Sequence, residues 1–139
     1  MHVETSVVID ATAAEVWSVL VDVDRWPAWT ETVSELERLD TGPLGLSSRV
    51  RLKQPRLKAM VWHVTEIEAG TSFSWRSSGG GVTTTGGHRL RAGDNETTNV
   101  TLSIDQLGPL APILGLFTAR LTRRYLEMEA HGLKRRCET

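Results

Sequence analysis

The sequence predicts an α+β fold in which a curved, seven-stranded antiparallel sheet wraps around one long C-terminal helix, with two short helices after the first strand. Three observations predict it. Apolar and polar residues alternate in seven segments joined mostly by short turns, the pattern of an antiparallel meander with one packed and one solvated face. A helix-start signal at Thr12 interrupts that alternation directly after the first segment. From Gly108 onward the apolar period changes from two to three-and-four, which is helical.

His2 to Asp10 puts Val3, Thr5, Val7 and Ile9 on one face, a half-buried strand. Thr12 stands three residues before Glu15, a capping box in which the Thr hydroxyl accepts one backbone N–H and the Glu carboxylate reaches back to another. Val16, Trp17, Leu20 and Val21 then form the apolar side of a short helix. Asp24 is expected to cap a second helical turn carrying Trp26, Pro27 and Trp29, and Pro27 suits a first turn because the N–H it lacks has no intrahelical partner there.

Val33 to Asp40, crowded by Glu35, Glu37 and Arg38, suits a sheet edge and stops at Thr41-Gly42-Pro43. Ser48 to Gln54 turns Val50 and Leu52 inward and Arg49, Arg51 and Lys53 to water. Lys58 to Ala69 sets Met60, Trp62 and Val64 against Val61, His63 and Thr65, so His63 is expected on the solvent face. Ser72 to Ser78 aligns Phe73, Trp75 and Ser77; Val82 to Arg91 aligns Thr84, His88 and Leu90; Thr97 to Leu107 aligns Val100, Leu102 and Ile104. In the final helix, running to about Arg136, Leu110, Leu114, Phe117, Leu121, Tyr125 and Met128 predict the apolar stripe. Arg123, Glu127 and His131 mark the opposite side, and Glu127 and Glu129 among the basic residues read as a solvated charged face. Such a helix is best buried across the concave side of a twisted sheet, an arrangement known as a helix-grip.

At 139 residues the chain is expected to be a single domain, residues 1–139, able to remove roughly two-thirds of its unfolded surface from water. A net charge of -1 provides no global field toward nucleic acid or anionic lipid, so no nucleic-acid partner is expected. Cys137 is the only cysteine, which excludes an intramolecular disulfide. The first ten residues have neither a basic region nor an apolar run of export-signal type, and no stretch reaches the roughly 18 apolar residues of a membrane span, so a cytoplasmic location is expected. Four histidines and one cysteine show no zinc-type spacing, and the Gly79–Gly87 run lacks the Lys-Ser/Thr pair of a phosphate loop; neither metal nor cofactor is expected.

The string Ala11-x-x-x-Glu15-Val16-Trp17 with Leu20, Asp22, Trp26-Pro27 and Trp29 resembles the opening of the START/Bet v1-like (SRPBCC) superfamily, in particular its bacterial polyketide cyclase/dehydrase and lipid-transport branch. The strand run and terminal helix follow in that family's order, so the resemblance covers nearly the whole chain. It implies the helix-grip fold and an internal pocket, and a histidine facing the pocket from the strand of His88 is similar to many members.

Function is expected to follow from a packing mismatch: wherever side chains fail to fill the space between curved sheet and helix, a cavity for a small hydrophobic ligand remains. The wall is predicted from Leu52, Trp62, Phe73, Trp75, Thr84, His88, Leu90, Val100, Leu102, Phe117, Leu121 and Tyr125. Thr84, His88 and Tyr125 are its polar members, able to offer hydrogen bonds to a guest. Gly108 and Gly115 would let the start of the long helix move at a pocket mouth, whereas Gly79 to Gly81 reads mainly as turn chemistry.

The leading reading is binding or transport of a lipid or polyketide-like ligand. The alternative is an aromatase/cyclase-type enzyme with His88 as general acid/base and Tyr125 as donor to an enolate oxygen. It is disfavoured because Arg49, Arg51, Arg76, Arg89 and Arg91 all take the outward parity, leaving no inward cation. A protein-interaction module is the third reading, and it would require an exposed apolar patch or a biased surface charge, neither of which is evident in the sequence.

Overall fold

A computed structural model describes residues 1–139. Strand β1 (His2–Ile9) is followed by helix α1 (Ala13–Val21), a tight helical turn (Val23–Arg25) and helix α2 (Trp26–Trp29). Strands β2 (Glu35–Arg38), β3 (Arg49–Lys53), β4 (Met60–Glu68), β5 (Ser72–Gly79), β6 (Val82–Ala92) and β7 (Thr98–Leu107) then lead to helix α3 (Ala111–Glu138). The seven strands form one antiparallel sheet in the order β1-β7-β6-β5-β4-β3-β2. The alternation read from the sequence sets which face is buried: Val50, Leu52, Trp62, Val64, Phe73, Trp75, His88, Leu90, Val100 and Leu102 all turn inward. Strand β2, crowded with charge, is an edge strand as expected. A bulge between Val64 and Glu66 interrupts the β4–β5 ladder but comes after His63, which stays exposed opposite Arg49 and Arg76.

The entry to α1 is the predicted cap with one change. Thr12 Oγ1 accepts the Glu15 N–H at 3.2 Å, but the Glu15 carboxylate takes the Thr12 hydroxyl proton at 3.0 Å instead of reaching the Thr12 backbone. Asp24 makes no cap; Asp22 stands at the junction and pairs with Arg25 at 3.4 Å. The end of α1 is held from the side by Trp26, whose Nε1–H donates to the Leu20 carbonyl at 2.9 Å, one of the last carbonyls a helix leaves unpaired. That indole is 2% exposed and packs with its centroid 5.5 Å from Trp29 and 5.2 Å from Trp75, tying the short helices to the sheet.

Helix α3 lies across the sheet but presents a different face from the predicted one. Its buried residues are Ala111, Gly115, Leu126, Glu129, Ala130, Gly132 and Leu133, one position along from the expected stripe, while Leu110, Leu114 and Phe117 are exposed. The reason is close approach. A Cβ on Gly115 would sit 3.2 Å from Met1 Sδ, and one on Gly132 would run into the Trp29 carbonyl oxygen. Small residues mark where the helix backbone comes closest, and Leu126 and Leu133 fill the rest of the contact. Cys137 is half-buried against the core, and burial pushes its thiol pKa up. No helix is long and apolar enough to cross a membrane.

Candidate functional site

Between α3 and the sheet lies a cavity of two adjoining lobes. The larger, about 160 Å³, is bounded by Thr118, Thr122, Tyr125 and Leu126 of α3, Gln54 and Leu57 of the β3–β4 connection, and Met60, Trp62, Thr84, Ile104 and Gln106 of the sheet. The smaller, about 40 Å³, reaches inward to Trp26, Leu52, Trp75, His88 and Leu102. Gln54, Trp62, Ile104, Leu126 and Glu129 border both. The space exists because short side chains, Thr118 and Thr122 on the helix and Thr84 on β6, line the gap that larger ones would fill. Gly86 belongs to the same design: a Cβ there would stand 2.8 Å from Trp75 Nε1, so only glycine lets that indole lie against β6.

His88 is 5% exposed, with its ring stacked on Phe73 at 4.1 Å between centroids and 12° between planes. Its Nδ1 lies 3.1 Å from the Phe73 carbonyl oxygen, which can only accept, so Nδ1 carries the hydrogen and Nε2 presents a lone pair. Burial pulls the imidazole pKa down to about 4, against which the Phe73 hydrogen bond acts weakly. Opposite Nε2, at 4.0 Å, stands Oε1 of Glu129, whose carboxyl is pushed up to about 8 by loss of water. No Lys or Arg borders either lobe. At neutral pH the two face each other as imidazole and carboxylic acid, so the contact is not an ion pair.

Three further polar groups belong to this wall. The Tyr125 hydroxyl donates to the Pro55 carbonyl and fastens α3 to the β3–β4 connection beside the larger lobe. Trp62 Nε1 and Gln106 Oε1 are buried without a hydrogen-bond partner. Such orphans cost about 1–3 kcal/mol each and are uncommon in a packed interior.

Of the residues predicted for the wall, Leu52, Trp62, Trp75, Thr84, His88, Leu102 and Tyr125 border the cavity. Phe73 backs His88 from the core side, and Leu90 and Val100 are buried in the core away from both lobes. Leu121 is half-buried and borders neither lobe. Phe117 is corrected outright: it is 81% exposed, because the contact face of α3 is rotated by one position. Glu129 and Gln106 were missed. Glu129 is 8% exposed, not on a solvated face, and its signal was its position four residues beyond Tyr125. The outward parity of Arg49, Arg51, Arg76, Arg89 and Arg91 agrees with the structure, where all five are exposed.

Solved structures share this architecture. A hypothetical protein of Helicobacter pylori superposes with a TM-score of 0.85 at 15% identity, covering 99% of this chain and 88% of that one. A START superfamily protein of Mycobacterium smegmatis gives 0.80 at 18% identity, covering 99% and 97%. The Zhui aromatase/cyclase of a Streptomyces species gives 0.72 at 21% identity, covering 98% and 94%. At these identities the likeness is one of fold. No curated protein matches the sequence significantly. The family model described as polyketide cyclase / dehydrase and lipid transport matches residues 1–138, the whole helix-grip from β1 to the end of α3. The chain therefore belongs to the polyketide cyclase / dehydrase and lipid transport family.

Proposed function

We propose that the chain binds a small, uncharged, largely apolar ligand of about single-ring size in the cavity beneath α3. The observation that carries this reading is the larger lobe itself. Its volume of about 160 Å³ is lined by Leu57, Met60, Trp62, Ile104 and Leu126 and has Glu129, Gln106, Thr84 and Tyr125 among its polar members. An apolar cavity of about 150 Å³ admits one benzene ring, whereas sites for drug-sized molecules span about 300–1,000 Å³. A lipid chain or multi-ring polyketide would therefore fit only if the first turns of α3 moved outward about Gly108 and Gly115. Carboxylate ligands are disfavoured, since no cation borders the cavity to offset the loss of water from their charge.

A second reading is favoured by the His88–Glu129 pair. Two groups whose surroundings push their pKa values apart are the makings of an acid and a base. On a β-hydroxy ketone, His88 Nε2 would take the proton beside the carbonyl while the Glu129 carboxyl gives its proton to the leaving hydroxyl. A C=C bond forms, water departs, and return of the proton from His88 to Glu129 restores the neutral pair. The aromatase/cyclase among the related folds supports this reading by its name.

Native mass spectrometry and thermal shift with benzyl alcohol, benzoate and octanoate test the binding reading. The expected result is binding of the neutral ring only, abolished by Thr122→Phe, which fills the larger lobe. Absence of binding by all three, or equal binding to that variant, overturns it. Enone absorbance from a small β-hydroxy ketone tests the second reading, and a rate unchanged in Glu129→Gln removes it.

A further inference from the structure

Beyond ligand binding, we propose that the end of the molecule beside the larger lobe docks on an anionic lipid surface, using the outward face of the first half of α3. Six of the nine exposed large apolar side chains lie between Leu107 and Phe117, so they form a patch and are not scattered. Leu116 is 84% exposed, Phe117 81% and Leu107 70%. Ile113, Leu116 and Phe117 are spaced three and four apart, which puts them on one outward side of the helix. Phe117 and Ile113 also border a groove against Gly79, Gly80 and Val82 of the β5–β6 turn. Leu114 borders both that groove and the larger lobe, so the patch adjoins the cavity.

The charge around this patch identifies the occupant. Residues 106–126 contain no carboxylate, and their only charges are Arg120, Arg123 and Arg124, all exposed. Arg120 and Arg124 fall seven and eleven residues after Ile113, so they continue the apolar side of the helix toward its middle. The β3–β4 connection, which meets α3 at the larger lobe, adds exposed Arg56 and Lys58 and again no acid. The β5–β6 turn carries no charge at residues 77–83. Five cations thus flank the apolar face, against two carboxylates nearby: Asp105, which pairs with His2, and Glu127, which shares a groove with Arg120, Arg123 and Arg124. The excess charge beside the patch is therefore positive in a chain whose net charge is -1. This is the composition of a helix lying in a headgroup layer, apolar side chains among acyl chains and arginines on phosphates. A two-fold contact between copies through the same face would set these arginines against their own counterparts, which argues against self-association.

Co-sedimentation with vesicles tests the proposal, comparing phosphatidylcholine alone with phosphatidylcholine containing about one third phosphatidylglycerol. The parent is expected to bind the anionic vesicles at least about tenfold more tightly, with loss at high salt. The paired changes Leu116→Ser with Phe117→Ser, and Arg120→Gln with Arg124→Gln, touch only exposed side chains; each is expected to lose that binding while melting near the parent temperature. No binding to anionic vesicles at low salt overturns the proposal, and so does full binding by the Leu116→Ser, Phe117→Ser variant. A homodimer in sedimentation velocity that Phe117→Ser dissociates, without vesicle binding, would assign the face to a second copy. Benzyl alcohol binding is read without vesicles, so failure of one proposal leaves the other standing.

Discussion

Nε2 of His88 and Oε1 of Glu129 face each other at 4.0 Å across the joined lobes, one held on β6 and the other on α3. Each is perturbed by burial, in opposite directions: the imidazole loses its proton more readily, and the carboxyl keeps its proton longer.

A characteristic pH profile of stability is the expected outcome. The Glu129 carboxyl ionises near 4.5 when unfolded and near 8 when folded, so the folded state holds the extra proton between these values and stability falls as pH rises through them. His88 ionises near 6.5 unfolded and about 4 folded, so its contribution rises with pH from about 4 to 6.5. The two oppose each other up to pH 6.5, and above it Glu129 acts alone. Melting temperature is expected to drop between pH 6.5 and 8, by the equivalent of about 2 kcal/mol, and Glu129→Gln is expected to remove that drop. An unchanged drop in the variant would place the titrating group elsewhere.

Gly132→Ala is expected to destabilise, the reverse of the usual effect in a helix. Alanine would gain about 1 kcal/mol in helix propensity. The added methyl would meet the Trp29 backbone carbonyl, an obstacle that cannot rotate away, at a cost of about 1–3 kcal/mol beyond that gain. Urea unfolding measures the sign.

Trp26→Phe keeps most of the ring packing against Trp29 and Trp75 but leaves the Leu20 carbonyl without its buried donor. A loss of about 1–3 kcal/mol is expected in chemical denaturation. If the loss is negligible, the Nε1 hydrogen bond does not hold the end of α1.

Tyr125→Phe removes the link from α3 to Pro55 with little change in shape. Stability is expected to fall by only about 0.5–1.5 kcal/mol. Exchange of a bound ring, followed by line broadening in its NMR spectrum, is expected to quicken because the link fastens one side of the larger lobe. Unaltered exchange would locate the entrance on another side.

The sheet was legible because strand parity is a binary property: once Trp62, Trp75, His88 and Leu102 are in alternating runs, a single choice of face places them all. The helix was harder for a physical reason. Two neighbouring stripes of α3 were available, one rich in large residues through Leu114, Phe117 and Leu121, the other marked by Ala111, Gly115, Ala130 and Gly132. Area burial favours the first, while closeness of backbone favours the second, and a single chain does not weigh one against the other. Glu129 followed from that same choice: on the stripe of small residues it is buried, on the other it is solvated. The exposed patch around Phe117 escaped for the same reason, because Leu110, Leu114 and Phe117 were placed on the buried stripe.

The pairing of β1 with β7 joins the two ends of the sheet's sequence, His2 lying opposite Asp105 and Ile9 opposite Thr98. All other neighbours in the sheet are consecutive strands. As the chain leaves the ribosome, β1 is the first strand to emerge and its only strand partner is the last. For most of the time of synthesis Val3, Val7 and Ile9 have no strand to pair with, while the β2-to-β6 hairpins can zip locally. The nascent protein is thus a sheet with a missing first strand, and that interval, not the finished fold, is where it is most open to misassembly and to capture by a chaperone.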